Sequence, residues 1–154
     1  MSHIDVEAHR KDQTLETLND LLKGELSAVE SYDRALPAVE DKPALRSDLQ
    51  ECRASHELRV ERIRRAILDV GGEPAHASGA WGLFAKAVAG GARALGWRTV
   101  ISTLEEGEEH GLKDYGDAMS RLDERLRKVV STELYPEQQH TASMMSALRR
   151  GSSV

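Results

Sequence analysis

Glu25, His56, Glu108, Glu137 and His140 have the side-chain types and spacing for metal-ion chemistry. Each interrupts an apolar stripe of helical period. Glu25 lies within the run Leu18, Leu22, Glu25, Val29, Tyr32, and Glu108 within Ile101, Glu105, Glu108, Leu112, Tyr115. His56 falls between Cys52 and Val60, while Glu133, Glu137 and His140 fall between Val130 and Met144. Steps of three and four residues return to one helix face, so these ionisable groups are expected to point inward. Burying a charge is costly unless it is paired or bound to a cation. Carboxylates and imidazoles converging from several helices are the donors a transition-metal ion uses. Tyr32 and Tyr115 fill core space beside them with hydroxyls aimed at the carboxylates, and Glu105 and Glu133 flank the set.

Four long helices must position these groups. The first is expected from about Asp12 to Leu36, and Pro37 and Pro43 bracket the turn into the second. Pro43 suits the first turn of a helix, which then runs to about Val70 and is stopped by Gly71, Gly72 and Pro74. Residues 73 to 96 form a crossover with a short helix interrupted at Gly90 and Gly91. The third long helix is expected from about Trp97 to Met119. The fourth starts after Asp123 as N-cap and ends near Arg149. Pro136 lies inside it and predicts a kink or local break. Residues 12–150 are expected to form one domain, with 1–11 and 151–154 as flexible termini.

Composition bounds the function classes. The chain has 154 residues, of which 40% are apolar, 31% charged and only 4% aromatic, a balance that suits an all-α fold better than a β-sandwich. A net charge of −5 gives no general attraction to nucleic acid or to an anionic membrane surface. A single cysteine, Cys52, excludes an intramolecular disulfide framework and fits a reducing compartment. The N-terminal segment has no apolar signal-peptide core, and no apolar run reaches membrane-spanning length, so the expected address is the cytoplasm. No nucleophile constellation, phosphate-binding glycine loop or zinc-type cysteine pair occurs. Arg59, Arg62, Arg64 and Arg65 alternate with Glu57 and Glu61 and read as a solvated helix face. Trp81, Phe84 and Trp97 are expected to cap the helices at the crossover, with a homo-oligomer contact as the alternative.

The chain also repeats itself. Gly24 aligns with Gly107, Glu25 with Glu108, Val29 with Leu112, Tyr32 with Tyr115 and Leu36 with Met119. More weakly, His56 aligns with His140 and Val60 with Met144. Two similar hairpins joined by a long crossover predict a four-helix bundle with approximate two-fold symmetry.

In LNDLLKGELSAVESY, in the GE-and-Tyr pattern of helices one and three, and in the GG-x-P turn after helix two, the sequence resembles ferritin-like proteins. It is most similar to a bacterial four-helix family catalogued as domain of unknown function 2383. The resemblance implies a ferritin-like bundle over residues 14 to 149. A ferritin-like di-iron site uses single carboxylates from two helices and Glu-x-x-His from the other two. Glu25 and Glu108 match the single carboxylates, and Glu137 to His140 matches one Glu-x-x-His. The other motif has Arg53 in place of its glutamate, before His56. A guanidinium there replaces a bridging ligand and is expected to pair with Glu137 or Glu108.

Two readings of the inner polar layer follow. In one it holds iron or another transition metal through an incomplete di-iron-type set, with Arg53, Tyr32, Tyr115 and Glu105 around it. In the other it is a metal-free hydrogen-bonded layer in a non-catalytic bundle that acts through its surface, with no cofactor. A DNA-protecting role is disfavoured by the acidic net charge.

Overall fold

The computed structural model describes residues 2–79 and 82–152, and these are all-α, with no strand among them. Helix α1, His3–Ala35, opens on a capping box in which Asp5 N donates to Ser2 Oγ and Ser2 N donates to the Asp5 carboxylate. The helix so begun includes residues 3–11, which were expected to belong to a flexible terminus. A 3-10 turn, Leu36–Val39, leads to α2, Pro43–Asp69, which starts on its proline as expected. Beyond the C-cap Val70, Gly71 has a φ of +86°, which is open to glycine. Gly71 N donates to Leu68 O and Gly72 N to Ile67 O, both at 2.9 Å, which satisfies the last carbonyls of the helix.

The crossover climbs back along α1. Asn19 holds its start, accepting from Ala75 N at 2.8 Å and donating to Glu73 O at 3.2 Å, and Ser78 donates to Glu30 further up the same helix. Helix α3, Gly82–Ala94, then packs on α1 and α4, and it runs unbroken through Gly90 and Gly91. Helix-compatible glycines weaken a helix without necessarily interrupting it, and here Val88 and Ala89 are buried beside them. Of the expected aromatic cap, Trp81 lies outside the described residues. Phe84 packs over Gly107, and Trp97 stacks with Lys42 and Arg98.

Helix α4, Trp97–Met119, is followed by α5, Glu124–Val129, whose N-cap Asp123 accepts from Leu126 N at 2.9 Å. A π-helical segment, Val130–Leu134, joins α5 directly to α6, Tyr135–Ser152, so the fourth helical run has no break. In an α-helix the ring of Pro136 would strike the carbonyl four residues back, that of Thr132. Widening that turn relieves the clash, and Tyr135 N donates five residues back, to Val130 O.

Helix α1 pairs with α2 and α4 with α6, and α1 also packs against α4. Two apolar cores result. One gathers Leu18, Leu22, Ile63, Ile67, Leu126 and Leu134, and the other Val39, Leu49, Cys52, Val100, Ile101 and Met145. Each such side chain contributes about 1.5–3 kcal/mol on burial. A polar layer lies between the two cores. No helix among the described residues is long and apolar enough to cross a membrane.

Candidate functional site

The layer is centred on His56 of α2. Its Nδ1 lies 2.6 Å from Glu25 Oε2 on α1, and its Nε2 lies 2.7 Å from Glu108 Oε1 on α4. Both neighbours are carboxylate oxygens, which accept, so both ring nitrogens donate and the ring is an imidazolium. Burial opposes charge on His56, but the two carboxylates outweigh it and raise its pKa. The tyrosines reach across reciprocally. Tyr32 on α1 donates to Glu108 Oε1 at 2.6 Å, and Tyr115 on α4 donates to Glu25 Oε1 at 2.7 Å. A chain of hydrogen bonds therefore runs Tyr32, Glu108, His56, Glu25, Tyr115. Burial first, and then the adjacent carboxylate, pushes both phenols well up, so they remain protonated donors.

Arg59 completes the layer. It is fully buried, 0% exposed, and not on the solvated face expected for it. Its Nη1 donates to Glu25 Oε1 at 3.3 Å and to Gln138 Oε1, and its Nη2 donates to Thr141 Oγ1 at 3.1 Å. Gln138 Nε2 and Thr141 Oγ1 in turn donate to Glu108 Oε2 at 2.8 and 2.7 Å. Burial raises the carboxyls of Glu25 and Glu108, but the cations more than offset it and hold both below the ordinary range: Arg59 and His56 for Glu25, His56 for Glu108. Two carboxylates face one guanidinium and one imidazolium, so the layer is electrically neutral.

The fourth helical run presents a different face from the one the periodicity predicts. Glu137 is half-buried and accepts from Ser55 Oγ at 3.0 Å, Glu133 is exposed, and His140 is exposed. Neither Glu137 nor His140 joins Glu25, His56 and Glu108. The buried stripe is Leu126, Val130, Leu134, Gln138, Thr141 and Met145. Repeated steps of four drift by about 40° each on an α-helix, and the π-helical segment takes up that drift. A strictly α-helical reading from Val130 lands instead on Glu133, Glu137, His140 and Met144. Arg53 also differs from expectation, pairing with Asp33 and Glu57 at the surface. Glu105 is buried but is held by Arg149, away from the layer. Cys52 is buried, and burial followed by the Glu108 charge pushes its thiol up to about 12, which makes it inert packing.

Arg59, Gln138 and Thr141 were missed by sequence reasoning. A signal for Arg59 existed, since it lies three residues after His56 and four before Ile63 on the buried stripe of α2. Gly111 is a signal for Gln138: a Cβ there would come 2.4 Å from Gln138 Nε2, so α4 needs a glycine where this side chain crosses.

The family model described as Domain of unknown function (DUF2383) matches residues 13–121. The chain belongs to the DUF2383 family. The DUF2383 match runs through α1, α2 and α4 and so contains Glu25, Tyr32, His56, Arg59, Glu108 and Tyr115. The π-helical segment, Gln138 and Thr141 lie beyond the part matched to DUF2383. No curated protein and no solved structure matches the chain.

The donor set of this DUF2383 protein does not fit a metal ion. Glu108 Oε1 accepts from Tyr32 and His56, and Oε2 accepts from Gln138 and Thr141, which fills its four lone-pair directions. Both nitrogens of His56 are committed to protons. Among the described residues no buried side-chain nitrogen or oxygen lacks a partner. Among those residues, too, no group of three or more His, Cys, Asp or Glu side chains is arranged to hold a metal.

Proposed function

We propose that the protein is a non-catalytic, ferritin-like four-helix bundle of two hairpins, whose polar layer is held by Arg59 and protonated His56 in place of metal. The observation that carries this reading is the saturation of Glu108: a metal could bind it only by displacing a tyrosine, a threonine, a glutamine or the imidazolium. Two cations already neutralise the two carboxylates, which removes the charge that would attract a third. The reciprocal contacts of Tyr32 with Glu108 and Tyr115 with Glu25 support an origin in two similar hairpins. On this reading the layer is a stabilising and aligning device, and the protein acts through binding rather than through turnover at the layer.

Untagged protein analysed for metal by mass spectrometry and then titrated with Fe(II), Mn(II) and Zn(II) tests the proposal. The expected result is no stoichiometric metal, no saturable uptake and a melting temperature indifferent to chelator. Near-stoichiometric metal that is lost on replacing Glu25 and His56 by alanine would overturn it, in favour of a core metal site built on Glu25, His56 and Glu108.

A further inference from the structure

Between α1 and α4, under α3, lies a cavity of about 80 Å³ that the polar layer does not fill. Glycine shapes it on both long helices. A Cβ on Gly107 would come 2.6 Å from the ring of Phe84, so that glycine seats the aromatic wall. A Cβ on Gly24 would meet nothing within 4 Å. Mid-helix glycine costs about 0.5–1 kcal/mol relative to alanine, and no neighbouring atom requires it at position 24. What its missing side chain preserves is the open cavity.

The lining is mostly apolar, with Leu21, Ala28, Phe84 and Leu104, and it includes Tyr32 and Tyr115, whose hydroxyls belong to the layer. Those hydroxyl protons are committed to Glu25 and Glu108, so the phenol oxygens can only accept from a guest. Asp114 also lines the cavity, half-buried, and forms no hydrogen bond or ion pair within the described residues. Burial raises its pKa, against the opposing influence of nearby His110. No lysine or arginine lines the cavity. With Glu25 and Glu108 neutralised inside the layer, Asp114 is the remaining carboxylate of this mostly apolar recess, with His110 beside it.

We propose that this cavity binds a small primary amine, with the ammonium on Asp114 and a short alkyl chain inserted against Phe84 and Leu104. Size limits the chain. A dry cavity of roughly 150 Å³ admits benzene, so this one admits an aliphatic chain of about three or four carbons. The inference goes beyond the metal-free reading of the layer, because it rests on the cavity's apolar lining and on Asp114.

Calorimetric and NMR titrations of the full chain with n-propylamine, n-propanol and propionate test it. The amine is expected to bind saturably, with shifts in the amide signals of Gly24 and Gly107. The alcohol should bind at least about tenfold more weakly, the size of a single lost charge-assisted contact, and propionate should not bind. Gly24→Leu, whose side chain enters the empty space, should abolish amine binding while leaving the melting temperature unchanged or raised. Asp114→Asn should erase the preference for amine over alcohol. Equal affinity for amine and alcohol, retention of binding in Gly24→Leu, or no saturable binding of the amine would each overturn the proposal.

Discussion

His56 and His140 were expected to correspond in two similar hairpins, yet they end in opposite environments. On α2 the histidine is 3% exposed and clamped between two carboxylates. On α6 its counterpart faces solvent, and Gln138 and Thr141 occupy the interior in its place. The local sequences differ little in helical period. What separates them is the π-helical segment Val130–Leu134, which turns the downstream face of the fourth run by about one residue, roughly 100°. A motif matched letter by letter therefore mislocates its ligands when the helix carrying it has an extra residue in one turn.

The comparison is broken most severely by removing the cation that α2 supplies. Arg59→Met should cost about 3–5 kcal/mol in denaturant unfolding, because it strips a buried carboxylate of its charge partner. Adding Glu25→Gln to that variant should recover part of the loss. If the double variant is less stable than the single one, the ion pair is not what Arg59 contributes.

His56→Gln should be destabilising by a similar few kcal/mol, whereas His140→Gln should stay within about 0.5 kcal/mol, as surface substitutions do. The pH dependence follows the same asymmetry. The pKa of His56 is raised on folding, so its stabilisation is complete below the unfolded value of about 6.5 and is lost as pH climbs through the folded value. Glu25 and Glu108 are depressed, so theirs is present above about 4.3 and is lost as pH falls through their folded values. Melting should peak between those limits, and the alkaline decline should be reduced in His56→Gln and unchanged in His140→Gln. Equal declines in both variants would place the titrating group elsewhere.

Tyr32→Phe and Tyr115→Phe should each cost about 1–3 kcal/mol, since each leaves a buried carboxylate one donor short. Unequal losses would sharpen the picture. Glu108 retains three donors after Tyr32→Phe, while Glu25 retains two after Tyr115→Phe.

The smallest effect is expected at the π-helical segment itself. Deleting exposed Ser131 together with Pro136→Ala should restore a regular α-helix and keep Gln138 and Thr141 inside, with a stability change of about 1 kcal/mol or less. A loss of several kcal/mol would mean that the wide turn holds the core rather than merely accommodating it.

These contrasts also mark where the sequence was readable. Apolar stripes, Pro43, the Gly71 stop and the Asp123 cap located the long helices, because each is a local signal with a local cause. Glu25, His56, Glu108 and the two tyrosines were readable as one layer because α1, α2 and α4 keep α-helical period around them. Arg59 was assigned to a solvated face because the arginines around it alternate with Glu57 and Glu61, although its spacing from His56 and Ile63 contradicted that assignment. Gln138 and Thr141 were misplaced because Pro136 marked a local break without saying that a single wide turn would displace the face of everything after it. The extension of α1 back to His3 depended on one capping box in a polar segment with no stripe to announce it.

The position of the neutral layer between two apolar cores has a consequence for alignment. Leucine and isoleucine surfaces interlock almost equally well after an axial slip of one turn, about 5.4 Å. Here such a slip of α4 would separate Glu108 from α1, α2 and α6 at once, leaving charges stranded in the interior. The layer therefore works as a detent, penalising every sliding state except the one in which its hydrogen bonds close. A chain with Glu25, His56, Arg59 and Glu108 all replaced by leucine should retain its helical circular dichroism but broaden its amide NMR spectrum, as helices that fit together in several registers exchange among them.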